Sequence, residues 1–461
     1  MQPRHLPQTM DYARVPGRPT TTTTTITGSI NTRGVPNPEL NIVDMLPQRP
    51  TVVAAKGAEQ LNPIAEVTWG RRTKASRIDG IGAACIVPFV PFWMYINNHA
   101  LHHHGGSLSS AIDQLGRRGF LALVYQYPHR FSVSSLLAYL GWVAFQAALY
   151  ATLPGRRCLG QRTPGGQLLE YTVNGLRAWA VTHGLFAMAI STGMIKASIL
   201  ADHWQGLIMA ADVYGMLASV AAMTKGYFAP THEGDRKLSG SLAFDFFSGV
   251  ELNPRFGKYF DVKFFHNGRP GIAAWTLINF SWAAYQYDKH GVVSNSMIIV
   301  NSLQAIYVLH FFVDEDWYLR TVDITHDHFG FYLAYGTASF LPKLYTIQAQ
   351  YLALCPTHLD TAETFGLLAL GLAGYALFRS ANYEKDIVRR AQGAALIWGK
   401  PTQVIKAEDR TSDGKEHTSL LLTSGWWGVC RHTNYLADLI QTLAMSLTCG
   451  FGHFLPWSHV I

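Results

Sequence analysis

Residues 71–96 read RRTKASRIDGIGAACIVPFVPFWMYI: Arg71, Arg72, Lys74 and Arg77, then an apolar run from Ile78 to Ile96. A helix needs roughly 20 predominantly apolar residues to cross bilayer hydrocarbon. Cations flanking a first span stay on the cytosolic side, so this stretch predicts a cytosolic N-terminus and a first span. Gly80, Gly82, Pro88 and Pro91 do not forbid it, because neighbouring helices can satisfy the backbone groups they free. Further apolar runs cover 131–153, 178–199, 206–227, 271–287, 296–313, 329–354 and 365–381. Arg156, Arg157 and Arg162 follow the second run and return the chain to the cytosol. The expected fold is all-α, a polytopic transmembrane helical bundle of about 8–10 spans. Residues 228–265 and 383–417 are expected as long, charged cytosolic loops.

Composition agrees with that fold. Charged residues are 15% and apolar ones 48%, whereas soluble domains average about 25% charged. The net charge of +7 lies largely in loops, which suits basic segments beside a lipid bilayer rather than a nucleic-acid groove. Cys85, Cys158, Cys355, Cys430 and Cys449 are scattered and never form CxxC, so neither a disulfide framework nor a zinc site is expected. Residues 1–70, with a threonine run from Thr20 to Thr25, read as a disordered cytosolic tail without a signal peptide. Residues 71–461 form the membrane domain.

The candidate chemistry concentrates between Lys385 and Asp438. Lys385 and Arg389 stand four apart, on one face of a helix. An ammonium beside a guanidinium suits a phosphate-bearing ligand. Gly425, Trp426, Trp427 and Gly428 then join flat rings to a permissive backbone, followed by Arg431, His432, Asn434 and Tyr435. Such a set can hold a planar charged cofactor. On spacing alone, a basic loop on an anionic lipid surface fits equally well. Asp79-Gly-Ile-Gly82 opens a span rather than following a strand, so a Rossmann domain is excluded.

Other polar residues offer weaker signals. Tyr307 sits in mid-span, either as a functional hydroxyl or as a core tyrosine bonded to a helix carbonyl. His326, Asp327 and His328 bring two imidazoles close, but without a third ligand set no metal is expected. His99, His102 and His103 spell one HxxHH box, where a membrane di-iron enzyme needs three, in what reads as a polar lumenal loop. Asp314, Glu315 and Asp316 read as solvated acids at a membrane edge. Glu251, Asn253, Arg255, Asn267 and Arg269 read as turn and cap chemistry.

Several motifs carry a family resemblance. LLLTSGWWGVCRHTNY at 420–435, GVELNPRFG at 249–257, NGRPGIAAWT at 267–276 and LQAIYV at 303–308 resemble the sterol carbon–carbon double-bond reductases. That family includes Δ14- and Δ7-sterol reductases and the membrane half of the lamin B receptor. WYLRTVDITHDHFGFYL at 317–333 and LYTIQAQYL at 344–352 are most similar to the 7-dehydrocholesterol reductase branch. The resemblance covers residues 75–461.

It implies reduction of the sterol C7–C8 double bond with NADPH in the endoplasmic reticulum membrane. The Δ14 bond or another steroid or triterpenoid is an alternative within the enzyme class. A catalytically inactive sterol-binding or structural membrane protein is the alternative outside it. When the C7–C8 bond is part of a 5,7-diene, protonation gives an allylic cation that a hydride quenches, so the protein must supply an acid, a dry pocket and a fixed nicotinamide. By resemblance, Tyr307 donates the proton, and Lys385, Arg389, Leu422, Trp427, Asn434 and Tyr435 hold NADPH. His310, His326, Asp327 and His328 fall in the substrate pocket. Relatives carry Asp at the position of His310. Thr337, Phe340 and Lys343 replace an Asp, a Trp and an aromatic, a hint of a modified substrate. Relatives also continue past HFLPWSHVI at 453–461, so part of the cofactor pocket is expected to be missing here.

Overall fold

The computed structural model describes residues 74–127, 131–410 and 416–458; the tail expected over 1–70 lies outside them. α1 (Arg77–His103) starts at Ser76, whose hydroxyl accepts from Asp79 N–H while the Asp79 carboxylate accepts from Ser76 N–H. This capping box satisfies two otherwise orphaned donors. Because α1 runs through Pro88 and Pro91 as far as His103, His99, His102 and His103 are helical, not part of the expected loop. α2 (Leu108–Arg118), α3 (Phe120–Gln126) and α4 (Val133–Thr152) follow. β1 (Arg156–Arg162) and β2 (Leu168–Val173) pair antiparallel, ahead of α5 (Gly175–Ser191), α6 (Ile199–Asp202) and α7 (Trp204–Phe228).

The stretch expected as a cytosolic loop contains α8 (Leu242–Ser248), the paired β3 (Arg255–Phe256) and β4 (Phe260–Asp261), and α9 (Val262–Gly268). α10 (Pro270–His290), α11 (Asn295–Val313), α12 (Glu315–Tyr318) and α13 (Val322–Thr325) come next. Then α14 (Phe331–Tyr335), a π-helical turn (Gly336–Phe340), α15 (Leu341–Leu344) and α16 (Ile347–Leu354) lead to α17 (Thr361–Arg390). Two hairpins, β5 (Leu396–Ile397) with β6 (Lys400–Pro401) and β7 (Val404–Arg410) with β8 (Glu416–Leu422), precede α18 (Trp426–Val429) and α19 (Thr433–Leu447).

The protein is thus a helical, multi-pass membrane protein. Among the described residues five helices, α1, α4, α7, α11 and α17, are long and apolar enough to cross a membrane. Three expected spans differ from that simple form. α5 has 17 residues, short for a crossing. α10 buries Asn279 and Gln286, which donate to Gln304 Oε1 at 2.5 Å and Leu352 O at 2.7 Å, polar links between packed membrane helices.

The run 329–354 is not one helix but four pieces, and Pro342 explains part of the break. Proline has no N–H to return to the carbonyl four residues earlier, here Ala338. The Tyr139 hydroxyl on α4 donates to that carbonyl instead, at 2.8 Å. Gly271 lets α10 press against the same turn, since a Cβ there would strike the Thr337 carbonyl. Irregular backbone at membrane depth is tolerated when protein satisfies it in this way.

Neither Asp316 nor Glu315 is a solvated acid. Asp316 is buried and paired with Arg156 at 2.9 Å. Glu315 is fully buried and ion-paired with Arg269, itself fully buried, and its second oxygen accepts from Gly175 N–H at 2.8 Å. Arg269 also donates to Asn174 Oδ1 at 3.0 Å. Glu251 accepts from Lys225 at 2.8 Å and from Thr231 N–H at 2.7 Å, and Arg255 pairs with Asp261 at 3.1 Å. The GVELNPRFG and NGRPG motifs therefore build a buried ionic frame, more than the turn and cap chemistry expected of them. Removing one partner of such a pair costs about 3–5 kcal/mol.

Candidate functional site

α17 opens with a capping box from Asp360 and Glu363 and runs 30 residues to Arg390. Its last turns place Lys385 and Arg389 on one face, beside α18, α19 and the end of β8. Gly425 adopts φ 61°, and a Cβ there would collide with the Glu384 carboxylate, so glycine alone fits. Glu384 is buried and accepts the Trp426 N–H at 2.9 Å and a bond from the Trp398 side chain. Trp426 Nε1 donates to Ser380 Oγ at 2.8 Å, and Trp427 Nε1 to Ala381 O at 2.7 Å. These bonds fix Trp427 beside Lys385, whose ammonium lies 4.9 Å from the ring centroid.

The charges around this corner are unevenly matched. Asp386 pairs with Arg320 and, at 2.7 Å, with Arg390. Among the described residues no carboxylate forms an ion pair with Lys385 or Arg389, and both are half-buried. Arg389 also feels the charge of Asp386, and two neighbouring cations of this kind suit an anionic ligand or lipid phosphate. Leu422 closes β8 opposite Val404. Asn434 and Tyr435 open α19, with the His432 ring stacked on Tyr435 at 5.1 Å. The structure therefore joins Lys385 directly to Trp427, while Leu422, Asn434 and Tyr435 share only the surrounding packing.

Tyr307 lies on α11, which packs against α17 and α19. It packs with Trp275, ring centroids 5.6 Å apart, in an apolar cluster that also holds Tyr345. Trp275 is held by a 2.8 Å bond from Nε1 to Gln304 Oε1. Among the described residues the Tyr307 hydroxyl bonds to no protein group, yet the carboxylates of Asp438 and Asp323 lie within electrostatic reach. Asp438 bounds the candidate stretch in the sequence, which assigns it no role. The available signal is an acid inside YLADLIQTLAMSL, a largely apolar helix packed along a membrane span. Asp323 accepts from Tyr318 at 3.0 Å, and Tyr318 in turn accepts from Asn267 Nδ2 at 2.9 Å. Burial raises the Asp323 carboxyl above the ordinary carboxylate range.

The remaining expected pocket residues do not converge on Tyr307 through direct contacts. His310 turns to α17, where its Nδ1 accepts from Arg379 at 2.9 Å. Arg379 also pairs with Asp314. His326 Nδ1 lies 2.6 Å from Thr325 Oγ1, and His328 is buried. Lys263 pins this loop by donating to Ile324 O at 2.9 Å and Asp327 O at 2.7 Å. Burial pushes its ammonium down to about 7 despite the nearby acids. Asp327 bonds to the Tyr332 side chain. Thr337 Oγ1 donates to Leu333 O at 2.7 Å, and Lys343 pairs with Asp212 at 2.6 Å. His310, Thr337 and Lys343 thus have separate local partners. Among the described residues no group of three or more His, Cys, Asp or Glu is arranged to hold a metal.

Comparison with known proteins fits these motifs. Residues 87–461 match the model of the Ergosterol biosynthesis ERG4/ERG24 family. The chain is 41% identical over 406 residues to a 7-dehydrocholesterol reductase of Xenopus laevis, covering 85% of this chain and 86% of that protein. It is 33% identical over 390 residues to a Delta(14)-sterol reductase of Dictyostelium discoideum, with 82% and 80% covered. A Delta(14)-sterol reductase of Methylotuvimicrobium alcaliphilum is 37% identical over 328 residues, with 70% and 73% covered. A match over most of the chain, and identity above 40% across most of a relative, place the chain in the Ergosterol biosynthesis ERG4/ERG24 family, the sterol reductases its motifs resemble.

Proposed function

We propose that this oxidoreductase reduces the C7–C8 double bond of a sterol in the endoplasmic reticulum membrane, using NADPH. The observation that carries the reading is an unbonded Tyr307 hydroxyl in an apolar cluster, with Asp438 and Asp323 in electrostatic reach. Tyr307 gives its proton to one carbon of the double bond, leaving a positive charge on the sterol. The electron-rich faces of Trp275 and Tyr345 stabilise that cation. Asp438 or Asp323 restores the Tyr307 proton, and the raised carboxyl of Asp323 suits that task.

NADPH, when bound, supplies the hydride that completes the reduction. Lys385 and Arg389 bind its phosphates, and their doubled charge favours NADPH over NADH. Trp427, with Leu422, Asn434 and Tyr435 around it, orients the planar part of the cofactor. The Lys263-pinned loop carrying His326, Asp327 and His328 forms one wall of the sterol cavity, with His310 beyond it. The higher identity to a 7-dehydrocholesterol reductase than to the Delta(14)-sterol reductases supports C7–C8 over the Δ14 bond.

The test uses microsomes of a sterol-defined yeast expressing the chain, supplied with 7-dehydrocholesterol and NADPH. Mass spectrometry should find cholesterol that control microsomes lack. Unchanged substrate, with folded protein present, would contradict the reading. A tagged chain should co-localise with an endoplasmic reticulum marker.

A further inference from the structure

A cavity of about 470 Å³ lies between α4, α5, α7 and α10. None of its lining residues belongs to α11, α17 or α19, the helices that carry Tyr307, Lys385, Arg389 and Asn434. α10 separates the two regions. Ala274, Leu277 and Ile278 line the cavity, whereas Trp275 packs on Tyr307 and bonds Gln304 of α11. The walls are mostly apolar and rich in rings, including Trp142, Phe145, Phe186 and Trp204.

One end is polar. Lys343 is 7% exposed, and its ammonium sits 2.6 and 2.7 Å from the two oxygens of Asp212. Asp212 also accepts from Tyr335 at 2.5 Å and from Ser339. A charged pair among membrane helices is expensive, and by default it marks a functional position. Lys343 and Ser339 both line the cavity. An ammonium carries three donors, and Asp212 takes two of them, leaving one for a ligand oxygen. The Ser339 hydroxyl, donating to Asp212, keeps lone pairs that can accept. Because Asp212 neutralises Lys343, this end gains nothing from an anionic head group.

We infer that the cavity is a second binding site, for an uncharged rigid amphiphile bearing one hydroxyl, a membrane sterol. Its hydroxyl bonds Lys343 and Ser339, and its ring body lies among Trp142, Phe145 and Trp204. A fused ring system loses little rotational freedom on binding, unlike an acyl chain, and the volume falls within the range of small-molecule pockets. The site does not depend on the reduction assigned to Tyr307.

The test is photolabelling of the full chain in nanodiscs with a diazirine sterol bearing a free 3-hydroxyl, without NADPH, followed by peptide mapping. Labels are expected on α4, α7 or α10, and methylating the probe's hydroxyl should weaken them about tenfold, the loss of one good hydrogen bond. Gly141→Phe should fill the cavity, since open space lies off the Gly141 Cα, and remove those labels. Ala274→Leu serves the same purpose if the first variant does not fold. Labels confined to α11, α16 or α19, or unchanged on α4, α7 and α10 in a folded cavity-filling variant, would overturn the inference. Turnover is not read, so failure of the proposed reduction leaves this outcome distinct.

Discussion

Replacing Lys385 and Arg389 together by alanine should raise the apparent KM for NADPH on the order of 100-fold. Hydrogen bonds to charged groups contribute about 1.5–3 kcal/mol each. At the lower figure the two cations supply about 3 kcal/mol, where every 1.4 kcal/mol is tenfold in affinity. Arg389→Ala alone should therefore cost about tenfold. The lower figure is apt because both side chains are half-buried and partly screened by solvent. Stability should fall by no more than about 1 kcal/mol, because no carboxylate forms an ion pair with either cation among the described residues and the loss is the Lys385 contact with the Trp427 ring. Asp386→Ala is the contrasting variant, since it strips Arg320 and Arg390 of their shared acid.

NADPH titrations of sterol reduction in microsomes, with thermal unfolding of the same variants, read both effects. kcat at saturating NADPH should stay near wild type, because phosphate contacts bind ground and transition states alike. A KM that stays within twofold, in a variant that folds, would remove Lys385 and Arg389 from the cofactor site. It would return that face to the lipid surface.

Tyr307→Phe should lower kcat by about 10²-fold or more, the scale of general acid catalysis, while a fluorescent sterol still binds; full turnover would exclude it as the proton donor. Glu384→Ala should weaken NADPH and shift tryptophan emission, because it frees Trp426 and Trp398. An unchanged emission spectrum would show that Glu384 does not hold the rings. Lys263 titrates near 7 when folded and near 10.4 when unfolded, so between those values the unfolded chain binds more protons. Stability should therefore rise with pH from about 7 to 10, by up to about 1.4 kcal/mol per unit from this group. Lys263→Met should flatten that slope, measured by melting in detergent; a slope identical to wild type would mean that Lys263 does not cause it.

The parts legible in the sequence are those fixed by local pattern. α1 and α17 follow from apolar length and from capping boxes within three residues, and the shared face of Lys385 and Arg389 follows from helical spacing. What was misread depends on partners far along the chain. Glu315 looks solvated beside Asp314 and Asp316, but it is turned inward by Arg269, 46 residues earlier. The run 329–354 looks like one span because hydropathy does not register that Tyr139 of α4 can serve the carbonyl left by Pro342. His99, His102 and His103 look like a loop because polar residues end the apolar run before the helix itself ends. The roles of Asp438 and Glu384 are illegible for the opposite reason: each is an ordinary acid in an ordinary helix until the fold brings it within electrostatic reach of Tyr307 or bonds it to Trp426.

The central claim is that one hydrogen reaches the sterol as a proton through Tyr307 and the other as hydride from NADPH. The direct measurement is isotopic, on purified protein with 7-dehydrocholesterol. With NADPH deuterated at the transferable C4 position in ordinary water, the product should gain one deuterium on ring B. With ordinary NADPH in heavy water, it should gain one deuterium at the adjacent carbon. Tyr307→Phe should suppress both products together, since hydride transfer waits on protonation. Product without cofactor deuterium, or with both new hydrogens drawn from solvent, would contradict the account.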